Sequence, residues 1–252
     1  MGKPWIADWY DTLGSTNDEV KRLARQGAPE GVAVAAKTQT GGKGRRGRSF
    51  QSPAGTGMYF SVLLRPEAPA EDCMHLTCAA AVAAAKAVES LCGITPGIKW
   101  PNDLTWGNRK LGGILTEISA NDGKVEWAVI GIGINCRTPE GGFPEEIAQI
   151  ATDLQTASGV EITPQQLCGE ILQQLKVLAA TGISDRSSWM TAYRKACVTT
   201  GKPVQVIAPL GVREAFALEV ADDGSLLVEY PDGCREWVNS GEVSVRGMYF
   251  YT

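Results

Sequence analysis

From residue 39 to residue 50 the chain reads Gln39-Thr40-Gly41-Gly42-Lys43-Gly44-Arg45-Arg46-Gly47-Arg48-Ser49-Phe50, and residues 41–48 hold only glycine and positive charge. Glycine opens backbone conformations closed to other residues and lets the main chain come close to a ligand. Lysine supplies a compact charge, and arginine a planar fork that matches carboxylate or phosphate. The composition describes a flexible loop that closes over a small anion. Further polar groups fall at Ser15-Thr16-Asn17, at Lys99-Trp100-Pro101-Asn102-Asp103 and at Arg109-Lys110-Leu111-Gly112-Gly113. Ser15 with Asp18, and Thr16 with Glu19, fit a capping box. Beside the free N–H groups of a helix start, the same three side chains also make a cradle for a neutral polar ligand. Spacing alone leaves Lys110 open, as a solvated strand-end lysine or a catalytic cation.

Other chemistries fit the loop less well. Gly42-x-Gly44-x-x-Gly47 matches the dinucleotide fingerprint, but that fingerprint must open a helix. Here Ser49 to Gly57, with Pro53, Gly55 and Gly57, cannot start one. The P-loop pattern is absent. A glycine–arginine run that grips nucleic acid by charge belongs on a solvated tail, whereas this one lies between two apolar strands. The net charge of −4 makes the basic loop a local feature of an acidic protein, which favours a site over a general nucleic-acid surface. Seven cysteines without a Cys-x-x-Cys, and one histidine, argue against zinc. The cysteines read as small buried hydrophobes of a reducing cytosol, and Cys73-x-His75 as surface or helix start. No 18-residue apolar run or signal peptide is visible, so the expected location is cytoplasmic.

The elements that position these groups follow from pattern. A length of 252 residues with 44% hydrophobic and 21% charged content suits one large domain, or a large and a small one. A helix is expected from about Ser15 to Gly27, and strands over Val32–Lys37 and Met58–Leu64. An alanine-rich scaffold helix is expected over Asp72–Leu91, ended by Gly93. A strand ends near Trp100 because Pro101 cannot continue it. Arg109–Ile118 and Val125–Asn135 form a hairpin through Asn121-Asp122-Gly123. Gly112, Gly113, Gly131 and Gly133 strip side chains from adjacent strands and suggest a slot for a flat ligand. A short helix near Glu145–Ile150 follows, then one from Thr163-Pro164 to about Ala180 with Ile171, Leu172, Leu175, Val177 and Leu178 on its core face, and one over Asp185–Cys197. From Lys202, short alternating strands split by turns predict a small antiparallel barrel.

Together these motifs resemble the biotin protein ligase family. Ser15-Thr16-Asn17, Gln39 through Arg48, Lys99 through Leu104, Arg109 through Leu115 and Gly131-Ile132-Gly133-Ile134-Asn135 occur in the family's order. The resemblance implies an α+β fold, a mixed, largely antiparallel sheet flanked by helices of the class II synthetase-like biotin/lipoate ligase type, plus a C-terminal SH3-like barrel. It implies a catalytic domain over 1–198 and a barrel domain over 199–252. It implies that biotin and Mg·ATP give biotinyl-5′-AMP, and that a lysine of a biotin carboxyl carrier domain of acetyl-CoA carboxylase then takes the biotin. Carried over residue by residue, Lys110 and Arg45 are catalytic. Ser15, Thr16, Asn17, Gln39, Gly42, Lys43, Gly44, Arg45, Lys110, Gly112 and Gly113 hold biotin. Arg45, Arg46, Arg48, Phe50, Asn102, Lys110 and Asn135 hold ATP. No firm metal ligand is implied; Asn102 and Asp103 orient Lys110 or a hydrated Mg2+. A homodimer through exposed sheet edges is a family habit. Lys43 replaces the family's usual arginine, keeping charge but losing the fork. Phe50 stands where a larger aromatic is common. Ser15 comes too early for the DNA-binding segment of some members to precede it, so no nucleic acid is expected as a partner. A lipoate or octanoate ligase or transferase of the same fold is the alternative.

Overall fold

The computed structural model describes residues 4–181, 185–209, 211–241 and 243–247. Strand β1 (Ala7–Leu13), helix α1 (Thr16–Arg25) and strand β2 (Ala33–Gln39) form a β-α-β unit, with β1 parallel to β2. Strand β3 (Gly57–Leu64) and helix α2 (Leu76–Cys92) follow, then β4 (Gly97–Lys99), β5 (Asp103–Trp106), β6 (Arg109–Asn121) and β7 (Lys124–Asn135). Seven strands make one sheet in the order β1-β2-β3-β7-β6-β5-β4, antiparallel apart from β1 and β2. Asp122 and Gly123 both have positive φ, as a tight two-residue hairpin turn between β6 and β7 requires.

Strand alternation divides the sheet's two faces. Ala33, Ala35, Met58, Phe60, Val62, Ile130, Ile132 and Ile134 point to the main core. Alanine-rich α2 lies close there, with α5 (Pro164–Thr181) and α6 (Arg186–Ala196) behind it. The other face packs Val34, Leu63, Trp127 and Val129 against Val20 and Ala24 of α1. Two short helices, α3 (Glu145–Ala148) and α4 (Leu154–Ser158), lie between β7 and α5. Strands β8 (Lys202–Ala208), β9 (Gly211–Val220), β10 (Leu226–Glu229), β11 (Arg235–Val238) and β12 (Ser244–Gly247) form a second, antiparallel sheet ordered β11-β10-β9-β8-β12. Trp100 joins the parts: its indole N–H donates to the Gly224 carbonyl and its backbone N–H to Thr199 Oγ1, each at 2.9 Å. Among the described residues no helix is long and apolar enough to cross a membrane.

Several expectations need correction. β1, β5 and α4 carry no strong pattern in the sequence and emerge only in the structure. The scaffold helix starts at Leu76, after a short 3-10 turn over Ala70–Cys73. Cys73 and His75 mark that start, but both are fully buried rather than surface groups. Val177 faces solvent at 52% exposure, because the stripe of α5 ends with Leu178 on the opposite side. The α1 capping box does not form: the Ser15 side chain makes no capping bond, and Gln39 Oε1 takes the Thr16 N–H at 2.8 Å instead.

Candidate active site

The site lies on the face that α1 only partly covers. A cavity of about 430 Å³ opens there, lined at one end by Ser15, Thr16, Asn17 and Gln39, and at the other by Lys99, Asp103, Lys110 and Arg48. Three glycines make the room. A Cβ on Gly131 would fall on the Asn17 amide, and one on Gly133 would fall on the Phe50 ring. On Gly113, a Cβ would meet Asp103 Oδ1 at 3.1 Å and Lys110 Nζ at 3.2 Å. Gly113 therefore lets the Lys110 chain fold across its own strand onto Asp103. The space that the bare strands leave is shared between the cavity and the side chains of Asn17, Phe50 and Lys110 that wall it. Gly112 points to the opposite face by strand alternation, where the Gly133 carbonyl and Ile134 press on it.

Lys110 Nζ lies 2.6 Å from Asp103 Oδ1, across the hairpin of β5 and β6. The β6 backbone is fixed there, since Lys110 N–H donates to the Ile150 carbonyl and the Lys110 carbonyl accepts from Thr152. A second cavity of about 790 Å³ shares Arg48, Phe50, Asp103 and Lys110 with the first and continues to Asn135 and to the loop with Gly141, Gly142 and Phe143. The Asn135 amide donates to the Thr152 carbonyl at 3.0 Å. Phe50 packs edge-on to Tyr59 at 6.3 Å.

The basic loop is folded back on itself through a turn over Arg45–Gly47, with a bridge between Lys43 and Ser49. Lys43 Nζ pairs with Asp18 at 2.7 Å, and Gly44 lies on the cavity wall. Gly42 is buried under Phe50, Ser52 and Gln39 and lies outside the lining. Arg45 donates to Asn102 Oδ1 at 3.0 Å and to the carbonyls of Ser240 and Val243, so it ties the loop to the connection between β11 and β12. Burial draws its guanidinium below the ordinary arginine range, with Asp103 opposing and Arg46 and Arg48 adding to the fall. Arg46 is exposed and reaches the Ile207 carbonyl and Ser244. It does not line either cavity, whereas Arg48 lines both.

Sequence reasoning missed Lys99 as a site group, and the contribution of Ser244–Gly247 to the cavity wall. Burial pushes the Lys99 amine down to about 8; Asp103 opposes the shift, and Lys110, Arg246 and Arg48 reinforce it. Positive charge crowded round a partly desolvated slot, with one carboxylate among it, suits a ligand that carries several negative charges.

The biotin/lipoate A/B protein ligase profile matches residues 9–135. The chain belongs to that family. The biotin protein ligase C-terminal domain matches residues 199–246. A family member from Bacillus subtilis, the bifunctional ligase/repressor BirA, is 34% identical over 240 residues, covering 94% of this chain and 72% of its own length. The biotin–[acetyl-CoA-carboxylase] ligase of Paracoccus denitrificans is 30% identical over 243 residues, covering 92% of this chain and 98% of its own. Among solved structures, the biotin protein ligase from Aquifex aeolicus in complex with biotin and ATP superposes with a TM-score of 0.81 at 26% identity, over 96% of this chain and 99% of that one.

Proposed function

We propose that this protein is an ATP-dependent, AMP-forming biotin–[acetyl-CoA-carboxylase] ligase. A biotin carboxylate oxygen attacks the α-phosphorus of ATP, the bond to the bridging oxygen breaks, and pyrophosphate leaves. The neutral amine of a lysine on a biotin carboxyl carrier domain then attacks the acyl carbon, and AMP leaves. The observation that carries this reading is Lys110, held at 2.6 Å from Asp103 where the two cavities meet. A carboxylate at the end of the first cavity and an α-phosphate at the mouth of the second would share that cation. Ser15, Thr16, Asn17 and Gln39 would take the polar head of biotin, Arg48 and Lys99 the phosphates, and Phe50 and Asn135 the adenine end. Among the described residues no group of three or more metal-binding side chains exists. Magnesium would come with the phosphates, and Asp103 is the carboxylate placed to take a share of its shell. The chain divides, on this reading, into a catalytic unit over 1–198 and a C-terminal unit over 199–252.

Calorimetry with biotin, then ATP, alongside pyrophosphate release with biotin or with lipoate, tests the proposal. Biotin-dependent release supports it; release with lipoate alone assigns the other branch of the family.

Lys99 gives a proton signature. Its folded value of about 8 lies below the ordinary lysine value, so the ligand-free protein is half-protonated there near pH 8. Phosphates raise that value, so ATP binding should take up about half a proton at pH 8, more at pH 9 and almost none near pH 6.5. Calorimetry in buffers of different ionisation enthalpy reads this directly, and Lys99→Met should erase it.

Arg45→Gly removes the loop's anchors to Asn102 and the connection between β11 and β12. The acyl-adenylate is a mixed anhydride that the loop must shelter from water. Its dissociation rate should rise by about a hundredfold, equivalent to about 2.7 kcal/mol, with labelling of unrelated lysines as the consequence. An unchanged rate, read by trapping released adenylate, would contradict the role.

A further inference from the structure

Behind the polar head of the first cavity lies a chain of hydrogen bonds that the reaction does not use. Lys21 Nζ donates to Glu117 Oε1 at 2.7 Å, and the Asn17 amide nitrogen donates to Glu117 Oε2 at 2.8 Å. Burial draws the Lys21 amine down, but the bonds to Glu117 and Asp18 outweigh it and hold it above the ordinary value. Ser61, fully buried on β3, places its Oγ 2.5 Å from Asn17 Oδ1 and 2.8 Å from Thr16 Oγ1. Gln39 Oε1 takes the Thr16 N–H, and the Gln39 amide nitrogen donates to Ser52 at 3.0 Å. Glu117, Lys21 and Ser61 lie outside the cavity lining, while Thr16, Asn17 and Gln39 lie on it.

Donor and acceptor chemistry sets the direction of this chain. A lysine only donates and a carboxylate only accepts, so Asn17 must turn its amide nitrogen to Glu117 and its oxygen to Ser61. That oxygen cannot donate, so the single proton of Ser61 is spent on it. The Thr16 proton then has two acceptors within reach, Ser61 Oγ at 2.8 Å and Gln39 Oε1 at 3.2 Å, and either one uses it up. The Thr16 hydroxyl shows only lone pairs to the cavity.

We infer that Glu117, clamped by Lys21, is a positioning residue that sets the hydrogen-bond polarity of the head pocket, through Asn17 and Ser61, so that Thr16 accepts from the ligand and never donates to it. The inference rests on the biotin reading for its ligand: the ureido ring of biotin supplies N–H donors. Pocket polarity of this kind rejects an isostere that presents an acceptor, because two lone pairs then meet in a desolvated site.

The test uses the full chain, biotin and the two cyclic carbamate analogues in which one ring N–H becomes an oxygen. Wild-type protein should bind one analogue about a hundredfold more weakly than biotin. Glu117→Gln keeps the shape but can donate or accept, which frees Asn17 to turn. In that variant the discrimination should fall to about tenfold, with KM for biotin up about tenfold and kcat within about twofold. Ser61→Ala should lose discrimination in the same way, and serves if Glu117→Gln fails to fold. A role in packing alone would weaken all three ligands by one common factor, and that result overturns the inference. Neutron diffraction from ligand-free crystals gives a ligand-independent arm. A deuteron on Ser61 Oγ directed at Asn17, with the one on Thr16 Oγ1 directed at Ser61 or Gln39, supports the inference, and a Thr16 deuteron directed into the cavity overturns it. If wild-type protein binds none of the three ligands, the biotin reading falls and the neutron map alone decides the polarity.

Discussion

Replacing Lys110 with alanine is expected to lower biotin-dependent ATP–pyrophosphate exchange by about a thousandfold, with the melting temperature changed by only a few degrees. Attack of one anion on another builds charge at the α-phosphate, and fixed positive charge there is worth most in a site that excludes water. A unit charge about 4 Å away contributes roughly 4 kcal/mol at an effective dielectric of about 20. If that interaction is made only in the transition state, it amounts to about a thousandfold in rate. The fold should tolerate the change. The Lys110 side chain ends in a partly exposed ion pair, while its backbone is held separately by Ile150 and Thr152. Asp103 also keeps the field of Lys99 and Arg45. Lys110→Arg keeps the charge, but the bulkier fork must fit the narrow space over Gly113, so partial recovery is expected. Exchange at the wild-type rate in Lys110→Ala would remove this residue from the chemistry.

What could be read in the sequence divides along a physical line. Features written in adjacent residues were legible. Asn121-Asp122-Gly123 dictates a tight turn whatever surrounds it, and Gly93 ends its helix in the left-handed conformation. Features that depend on which residues meet were not. Period two says that Gly112 and Gly113 face opposite sides, but only the sheet's surroundings decide that Gly113 faces the cavity. β1 lies at an edge with most of its side chains at least partly exposed, so its apolar and polar residues do not alternate cleanly. Lys99 sits beside Trp100 in a conspicuous motif, yet its depressed basicity comes from burial and from arginines distant in sequence. The loop's composition points Arg45 and Arg46 at phosphates. Arg45 holds backbone carbonyls between β11 and β12, and Arg46 holds one on β8, so closing over a ligand would trade those bonds for phosphate contacts. Ser61 and Glu117 carry no motif; only the fold brings them to Asn17.

Gly131→Ala is expected to weaken biotin binding by about a hundredfold and to cost about 1–3 kcal/mol of stability. The φ angle of Gly131 is not in the left-handed region, so alanine meets no backbone strain there. The cost comes from one contact, because the new methyl group falls on the Asn17 amide. Neither side can yield freely. Gly131 pairs with Ser61 on β3 and with Leu115 on β6, in the middle of the sheet. Asn17 is buried and held by Glu117 and Ser61, so moving it breaks both bonds and leaves buried polar groups to find new partners. Asn17→Ala in the same background removes the clash. Asn17→Ala has its own cost, because Glu117 and Ser61 lose a partner, so the double variant should be less destabilised than the sum of the two single changes without regaining affinity, a coupling that a double-mutant cycle measures. If Gly131→Ala instead binds biotin as tightly as wild type, the placement of Asn17 against β7 does not shape the pocket.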